Sequence, residues 1–219
     1  MNIDEARKNM VDCQIKTWDV FDLEVLDAFE KVKREDFVPS GYRELAFADV
    51  NLDLGDNQKM MSPKVEARIL QALALTKEDK VLEIGSGSGH MTALLAVLSK
   101  EVISFECRKN LFEAAQSNLK KTAMDNVRIY HGDGLTEYKK FAPYDVIVLS
   151  GAIPNRQRII ENSLAIGGRM FAIVGSGDVM VAQLMQRISN SNWHLENLFE
   201  TTAEILKGSE IQPVFQFDS

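Results

Sequence analysis

The run Val81-Leu82-Glu83-Ile84-Gly85-Ser86-Gly87-Ser88-Gly89 constrains the fold of this chain more than any other segment. Residues of strand character end on three glycines that alternate with serines, and an apolar helical stretch starts at once and runs to Leu98. Glycines at a strand-to-helix turn let the backbone bend tightly and approach a ligand, with amides at the helix start facing it. The spacing is G-x-G-x-G, not the G-x-G-x-x-G of a dinucleotide fingerprint. No Lys-Ser or Lys-Thr pair follows to make a phosphate-binding loop. Phosphate is therefore not the expected guest.

Downstream, strand and helix patterns alternate. Strands are expected at Val81–Ile84, Val102–Glu106, Val127–Tyr130, Tyr144–Leu149 and Arg169–Val174, with helices at Gly89–Leu98, Lys109–Lys121 and Asn155–Leu164. Tyr144–Leu149 is apolar at consecutive positions, the mark of a strand buried on both faces in a helix-covered parallel sheet. Val179–Ile188 and Trp193–Thr201, joined by Ser189-Asn190-Ser191-Asn192, read as a terminal hairpin. The first third reads as helical. Asp4 is expected to cap a helix carrying Ala6, Met10, Val11 and Ile15, and Asp22 opens one carrying Val25, Leu26 and Phe29. A polar loop, Asp49 to Lys59, precedes Ser62-Pro63, an N-cap followed by proline at the first helical position, and Val65, Ile69, Leu70 and Leu73 form that helix's apolar stripe. The fold expected is an open α/β sheet, mostly parallel, with an antiparallel edge and an N-terminal helical extension. Residues 1–219 are read as one domain, with 1–79 as its N-terminal portion and 80–219 as its core.

Composition narrows the function. With 219 residues, 45% hydrophobic and 26% charged, the chain has the make-up of a globular protein. Its 25 basic against 32 acidic residues give a net charge of −7, which argues against a nucleic-acid partner, since that calls for a basic stripe. Cys13 and Cys107 are the two cysteines, so neither a disulfide framework nor a four-cysteine zinc site is expected, and a reducing, cytoplasmic setting fits. His90, His131 and His194 lack metal-site spacing, and no metal is expected. The start of the chain has no apolar run of signal-peptide length, and no stretch of ~18 apolar residues suggests a membrane span.

Glu106 follows Gly85 by 21 residues, at the end of the second strand of the core. An acid at that spacing behind a glycine loop can accept hydrogen bonds from both hydroxyls of a ribose. Gly132-Asp133-Gly134 ends the third strand, where a carboxylate can meet the amino group of an adenine, or simply make a β-turn. A glycine loop without phosphate chemistry, a ribose acid and a polar residue after strand three together describe a site for S-adenosyl-L-methionine.

The run VLEIGSGSGHMTALLA resembles the first motif of class I methyltransferases, and most closely that of protein-L-isoaspartate O-methyltransferases. Arg34 to Pro39 (REDFVP), Ala46 to Leu54 with Asp49, HGDG before APYDVIVLSGA, and GGRMFAIVG continue the resemblance in order from about Met10 to Gly175; the segment beyond Gly175 is not matched. The resemblance implies a Rossmann-like class I methyltransferase fold and an O-methyltransferase that esterifies isoaspartyl carboxylates in proteins or peptides for repair. It implies a cofactor site of Gln58, Met60, Glu83, Gly85, Ser86, Gly87, Ser88, Gly89, Glu106, Cys107, Asp133, Gly134 and Ser150. In it Gly85 to Gly89 would hold the methionine moiety, Glu106 the ribose, and Asp133 with Gly134 the adenine. For Cys107 a small buried thiol is the other reading.

One loop departs from the family. Where its members carry Q-T-I-S-x-P-H, this chain reads Gln58-Lys59-Met60-Met61-Ser62-Pro63-Lys64. Anchored on Gln58 and Pro63, Met61 takes the place of the active-site serine, and Ser62 falls one position later. Ser62 and Met61 are thus the candidates for the catalytic position, Ser62 also reading as a plain N-cap. Met60 and Met61 read as flexible apolar contacts on the cofactor or on a different acceptor. His90 stands where the family usually has Tyr, either touching the pocket or starting a capped helix. A carboxylate acceptor is already ionised at neutral pH, its unperturbed pKa being near ~4, so no general base is required. Two alternatives stay open: an O-methyltransferase for a small carboxylic acid or other small acceptor, and a non-catalytic S-adenosylmethionine-binding protein. The sequence does not indicate an oligomeric state.

Overall fold

The structure, a computed structural model, describes residues 2–210. Nine strands and seven α-helical segments are described, joined by short 3-10 turns and, at Val11–Ile15, one π-helical turn that continues the first helix. The main sheet has seven strands: β3 (Lys80–Ile84), β4 (Glu101–Glu106), β5 (Val127–His131), β6 (Tyr144–Ile153), β7 (Leu164–Ser176), β8 (Val179–Arg187) and β9 (Trp193–Thr201). Their order is β5-β4-β3-β6-β7-β8-β9. β3 pairs in parallel with β4 and β6, β4 with β5, and β6 with β7, whereas β8 joins β7 and β9 antiparallel. The expected parallel sheet with an antiparallel edge is what forms.

Alternation along the strands builds two apolar layers. Val81, Val102, Val146, Val148 and Phe171 face one side, and Leu82, Ile84, Ile103, Phe105, Ile147 and Leu149 face the other. Both faces are covered, which is why these strands are apolar without interruption. The first layer also takes the N-terminal portion: α2 (Leu23–Lys31), α3 (Pro63–Leu73) and α4 (His90–Leu98) pack there through Phe29, Ile69, Leu70 and Leu94. Asp22 caps α2 as expected, accepting from the Glu24 and Val25 N–H groups at 2.9 and 3.3 Å. The chain adds β4 and β5 on one side of β3 and then crosses to add β6 on the other, and this reversal of strand order opens a crevice at the carboxyl ends of the parallel strands, the usual ligand position of such sheets.

Three local expectations are corrected. Asn2, not Asp4, caps α1 (Ile3–Met10), because the helix starts one residue before Asp4; Asp4 pairs with Arg7 at 2.9 Å instead. The polar loop from Asp49 to Lys59 contains a small hairpin, β1 (Leu52–Gly55) with β2 (Gln58–Met60). Asp56 and Asn57 turn it at φ of 53° and 55°, the positive values that two-residue hairpin turns demand and that Asp and Asn tolerate. The helix expected over Asn155–Leu164 is reduced to a single turn, α7 (Arg158–Glu161), since Leu164 is already paired with Tyr144 and the Ser163 carbonyl accepts from the Tyr144 N–H.

Candidate active site

A cavity of about 360 Å³ opens over the carboxyl ends of β3, β4, β5 and β6. One wall comprises Ile84, Gly85 and Gly87 after β3, Glu106 and Cys107 at the end of β4, Asp133 and Gly134 after β5, and Ser150 in β6. Gly85, Gly87 and Gly89 have φ of 97°, 54° and 86°, so the loop between β3 and α4 is one that side chains other than glycine would strain. Its glycine amides do not wait for a guest. Gly85 N–H donates to the Phe105 carbonyl at 2.8 Å and Gly89 N–H to the Ser86 carbonyl at 2.8 Å, while Gly87 N–H donates to Glu106 Oε2 at 3.0 Å. Amides at this turn are expected to face a ligand; those of the three glycines instead hold the loop in shape.

Glu106 is buried, and its other oxygen, Oε1, accepts from the Arg108 N–H at 3.0 Å. Oε1 also receives the Cys107 thiol at 3.8 Å, a weak bond, and Oε2 keeps a lone pair for a further donor. Asp133 caps the turn α6 (Gly134–Glu137) through Oδ1, which accepts from the Leu135 N–H at 2.9 Å. Beneath the loop lies Glu83, fully buried, receiving hydroxyl hydrogen bonds from Thr92 and Ser104 at 2.6 Å each and from Ser150 at 3.2 Å. Burial pushes the Glu83 carboxyl up to about 7, against the pull of those three hydroxyls. Ser150 therefore links the cavity to a buried acid.

The facing wall comes from both ends of the chain. The β1–β2 hairpin and the residues on either side of it supply Asn51, Leu54, Gln58, Lys59 and Met61. A strap, Thr202–Lys207, and the β7–β8 turn with Gly177, Asp178 and Met180 complete the lining. The strap is tied to β6: Ala152 N–H donates to the Glu204 carbonyl and Leu206 N–H to the Ala152 carbonyl, both at 2.8 Å. A Cβ on Gly151 would come within 2.8 Å of Leu206 Cδ2, so only glycine lets the strap lie this close. Lys59 and Glu204 join hairpin to strap at 3.2 Å.

Of the residues singled out from the sequence, Gln58, Met61, Gly85, Gly87, Glu106, Cys107, Asp133, Gly134 and Ser150 line this one cavity. Met60 and Ser62 are buried beside it, as are Glu83, Ser86 and Ser88 under the loop, and Gly89 packs against α5 (Lys109–Leu119) through Ala115 and Leu119. The Ser62 side chain makes no capping bond; the Ser62 N–H donates to Asn51 Oδ1 at 2.9 Å. Burial beside Glu106 raises the Cys107 thiol. His90 is fully buried away from the cavity lining, its Nδ1 at 2.9 and 3.0 Å from the Glu66 carboxylate. Lys64 pairs with Asp49 at 2.5 Å and sits 4.0 Å over the Trp18 ring. Sequence reasoning missed Asn51, Leu54 and the strap. The Asp56-Asn57 turn was a readable signal for the first two, and the strap offered none. Among the described residues no group of three or more His, Cys, Asp or Glu side chains is placed to hold a metal ion, and no helix is long and apolar enough to cross a membrane.

The model of the protein-L-isoaspartate(D-aspartate) O-methyltransferase family matches residues 5–203. The chain belongs to this family. Among family members, the protein-L-isoaspartate O-methyltransferase of Dictyoglomus turgidum is 37% identical over 204 residues, covering 92% of this chain and 91% of the relative. That of Burkholderia vietnamiensis is 35% identical over 198 residues and 89% of this chain; the match spans 64% of that relative's length. A solved protein-L-isoaspartate O-methyltransferase superposes with a TM-score of 0.82 at 24% identity, covering 93% of this chain and 66% of its own. A family structure from Plasmodium falciparum, in complex with S-adenosyl-L-homocysteine, gives 0.80 at 20% identity over 94% of this chain and 99% of its own. These superpositions carry the family fold across nearly the whole chain.

Proposed function

We propose that this chain is an S-adenosyl-L-methionine-dependent O-methyltransferase whose acceptor is the free carboxylate of isoaspartyl residues in proteins or peptides. The observation that carries the reading is Glu106, a buried carboxylate at the cavity edge. It is fixed by two backbone N–H groups, and its lone pairs not taken by them face the cavity, Oε2 carrying a single donor and Oε1 sharing only a weak thiol bond from Cys107. The cofactor fits what is present. The cavity has the volume of a small-molecule site, and the loop that faces it is shaped by internal hydrogen bonds, as suits a guest without phosphate. Relatives named for this activity, and a fold neighbour named with the demethylated cofactor, support the same reading. In it residues 1–219 work as one domain, the N-terminal portion serving the acceptor and the core the cofactor.

When bound, the cofactor supplies an electrophilic methyl group on a sulfonium. This chain's residues then have positional work. Gly85 to Gly89 take the methionine moiety, with Glu83 and Ser150 beneath; Glu106 takes the ribose; Asp133 and Gly134 take the adenine, beside Cys107. Gln58 to Ser62 close over the reacting atoms. With an acceptor already ionised, rate comes from holding it in line and keeping water out, and no base is needed.

One observation favours a second reading, a small carboxylic acid as acceptor. Met61 lines the cavity where the family's serine is expected, whereas Ser62 is buried off the lining. Transfer of labelled methyl to an isoaspartyl peptide, measured beside its normal-aspartyl twin, decides between them. Ester formation on the isoaspartyl peptide alone is expected. Cofactor binding without transfer to either peptide would pass the acceptor role to the small acid.

A further inference from the structure

Arg34 lies outside the cavity, yet each of its hydrogen bonds ends on a segment that shapes it. The side chain is fully buried. Nε donates to the Ala46 carbonyl at 3.0 Å, Nη2 to the Met61 carbonyl at 2.6 Å, and Nη1 to Glu66 Oε2 at 2.5 Å. Ala46 and Met61 stand on either side of the excursion that contains the β1–β2 hairpin, and Met61 lines the cavity. Glu66, on α3, is shared with His90, the first residue of α4 after the glycine loop. One guanidinium therefore holds both stems of the hairpin and, through the Glu66 carboxylate and a 3.3 Å approach of Nη1 to His90 Nδ1, the helix that starts at the opposite wall.

We propose that Arg34 is a positioning residue, setting the height of the β1–β2 hairpin over the glycine loop and so the alignment of acceptor with cofactor. The inference rests on the methyltransferase reading above. Its physical basis is the cost of burying charge. A buried ion pair is weak ground for stability, because well-packed apolar side chains often do as well. What apolar side chains lack is a rigid fork of donors that fixes two backbone carbonyls relative to one carboxylate. A lysine in the same place keeps the charge and loses the fork.

The molecule contains its own control. Arg169 makes the same kind of bonds at the far end of α3, donating to the Leu73 carbonyl, to the Ala74 carbonyl at 2.8 Å and to Asp79 at 2.9 Å. None of these partners lines the cavity.

The experiment compares Arg34→Lys with Arg169→Lys in the full chain, by amide hydrogen exchange without ligand and by kinetics with isoaspartyl peptide. Arg34→Lys should speed exchange of amides between residues 47 and 62 by about tenfold, the effect of losing a charged hydrogen bond, and leave the sheet protected. It should also lower kcat by about tenfold with the KM for S-adenosylmethionine within about twofold, since alignment and not binding is lost. Arg169→Lys should do neither. Hairpin exchange at the wild-type rate, exchange raised equally throughout, or cofactor KM rising with the fall in kcat would overturn the proposal. Should Arg34→Lys not fold, Glu66→Gln loosens the same anchor and must show the same confined exchange; a spread of exchange over the whole chain counts against it. If the wild-type chain transfers no methyl group to the peptide, the isoaspartyl reading falls, and the exchange arm still decides whether Arg34 holds the hairpin.

Discussion

The wall made by the ends of β3, β4 and β5 and the wall made by the hairpin and strap face the same cavity, but they are held by different means. The first is continuous with a sheet whose strands are apolar on both faces, and its polar groups are fixed at short range: Gly87 to Glu106, Leu135 to Asp133, Ser150 to Glu83. The second is carried by residues at opposite ends of the chain, tied down by a buried guanidinium, two backbone bonds to Ala152 and one exposed ion pair. The difference teaches that the cofactor side is rigid by construction, while the acceptor side is anchored at a few points. Specificity can change on the second wall without disturbing the first.

The largest effect that tests this contrast concerns Glu83. Its folded-state carboxyl titrates at about 7 against an ordinary value of 4.5. Between those values the unfolded chain loses this proton and the folded chain keeps it, so stability should fall as pH rises through the window, by about 3 kcal/mol. Urea midpoints at pH 5 and pH 8 measure it, and Glu83→Gln should flatten that part of the profile; an unchanged slope would show that the buried acid does not set it. Next, Glu106→Ala should weaken binding of S-adenosylhomocysteine by roughly 1–3 kcal/mol through lost charged hydrogen bonds, read by calorimetry. Full affinity in that variant would remove the ribose assignment and with it the claim that the sheet wall carries recognition. Leu206→Ala, on the strap, should cost about 1–2 kcal/mol of the same affinity, less than truncating a fully buried leucine because the side chain is half-buried. A loss larger than that of Glu106→Ala would reverse the ranking of the two walls. Smallest is Lys59→Ala, which breaks an exposed pair with Glu204 and should change stability by less than about 1 kcal/mol, while altering the KM for acceptor more than that for cofactor.

The same division runs through what could be read from the residues. The sheet wall was legible because its signals are local: alternation and glycine spacing within Val81–Gly89, an acid at Glu106, a polar turn at Asp133. The helices of the first third were legible for the same reason, down to the Asp22 cap. The hairpin announces itself only through its Gly55-Asp56-Asn57 turn, since its strands are short and carry little apolar content. The short α7 was hidden because pairing of Leu164 with Tyr144, a tertiary demand, overrode helical periodicity. Arg34 stands in the sequence only as the start of the REDFVP segment, and only the fold brings it to Glu66, 32 residues away. The strap is set by a bridge between Ala152 and Ile205, which no local pattern announces.

That bridge also orders events during synthesis. Leu206 is made after every strand of the sheet, yet it packs against Gly85 and Gly151 at the cavity's floor. A nascent chain that has released β9 can complete the sheet, the glycine loop and the Glu106 bond while the strap's place beside β6 is still empty. Folding of the sheet and readiness to bind are therefore separate moments for this molecule, divided by the emergence of the strap after β9.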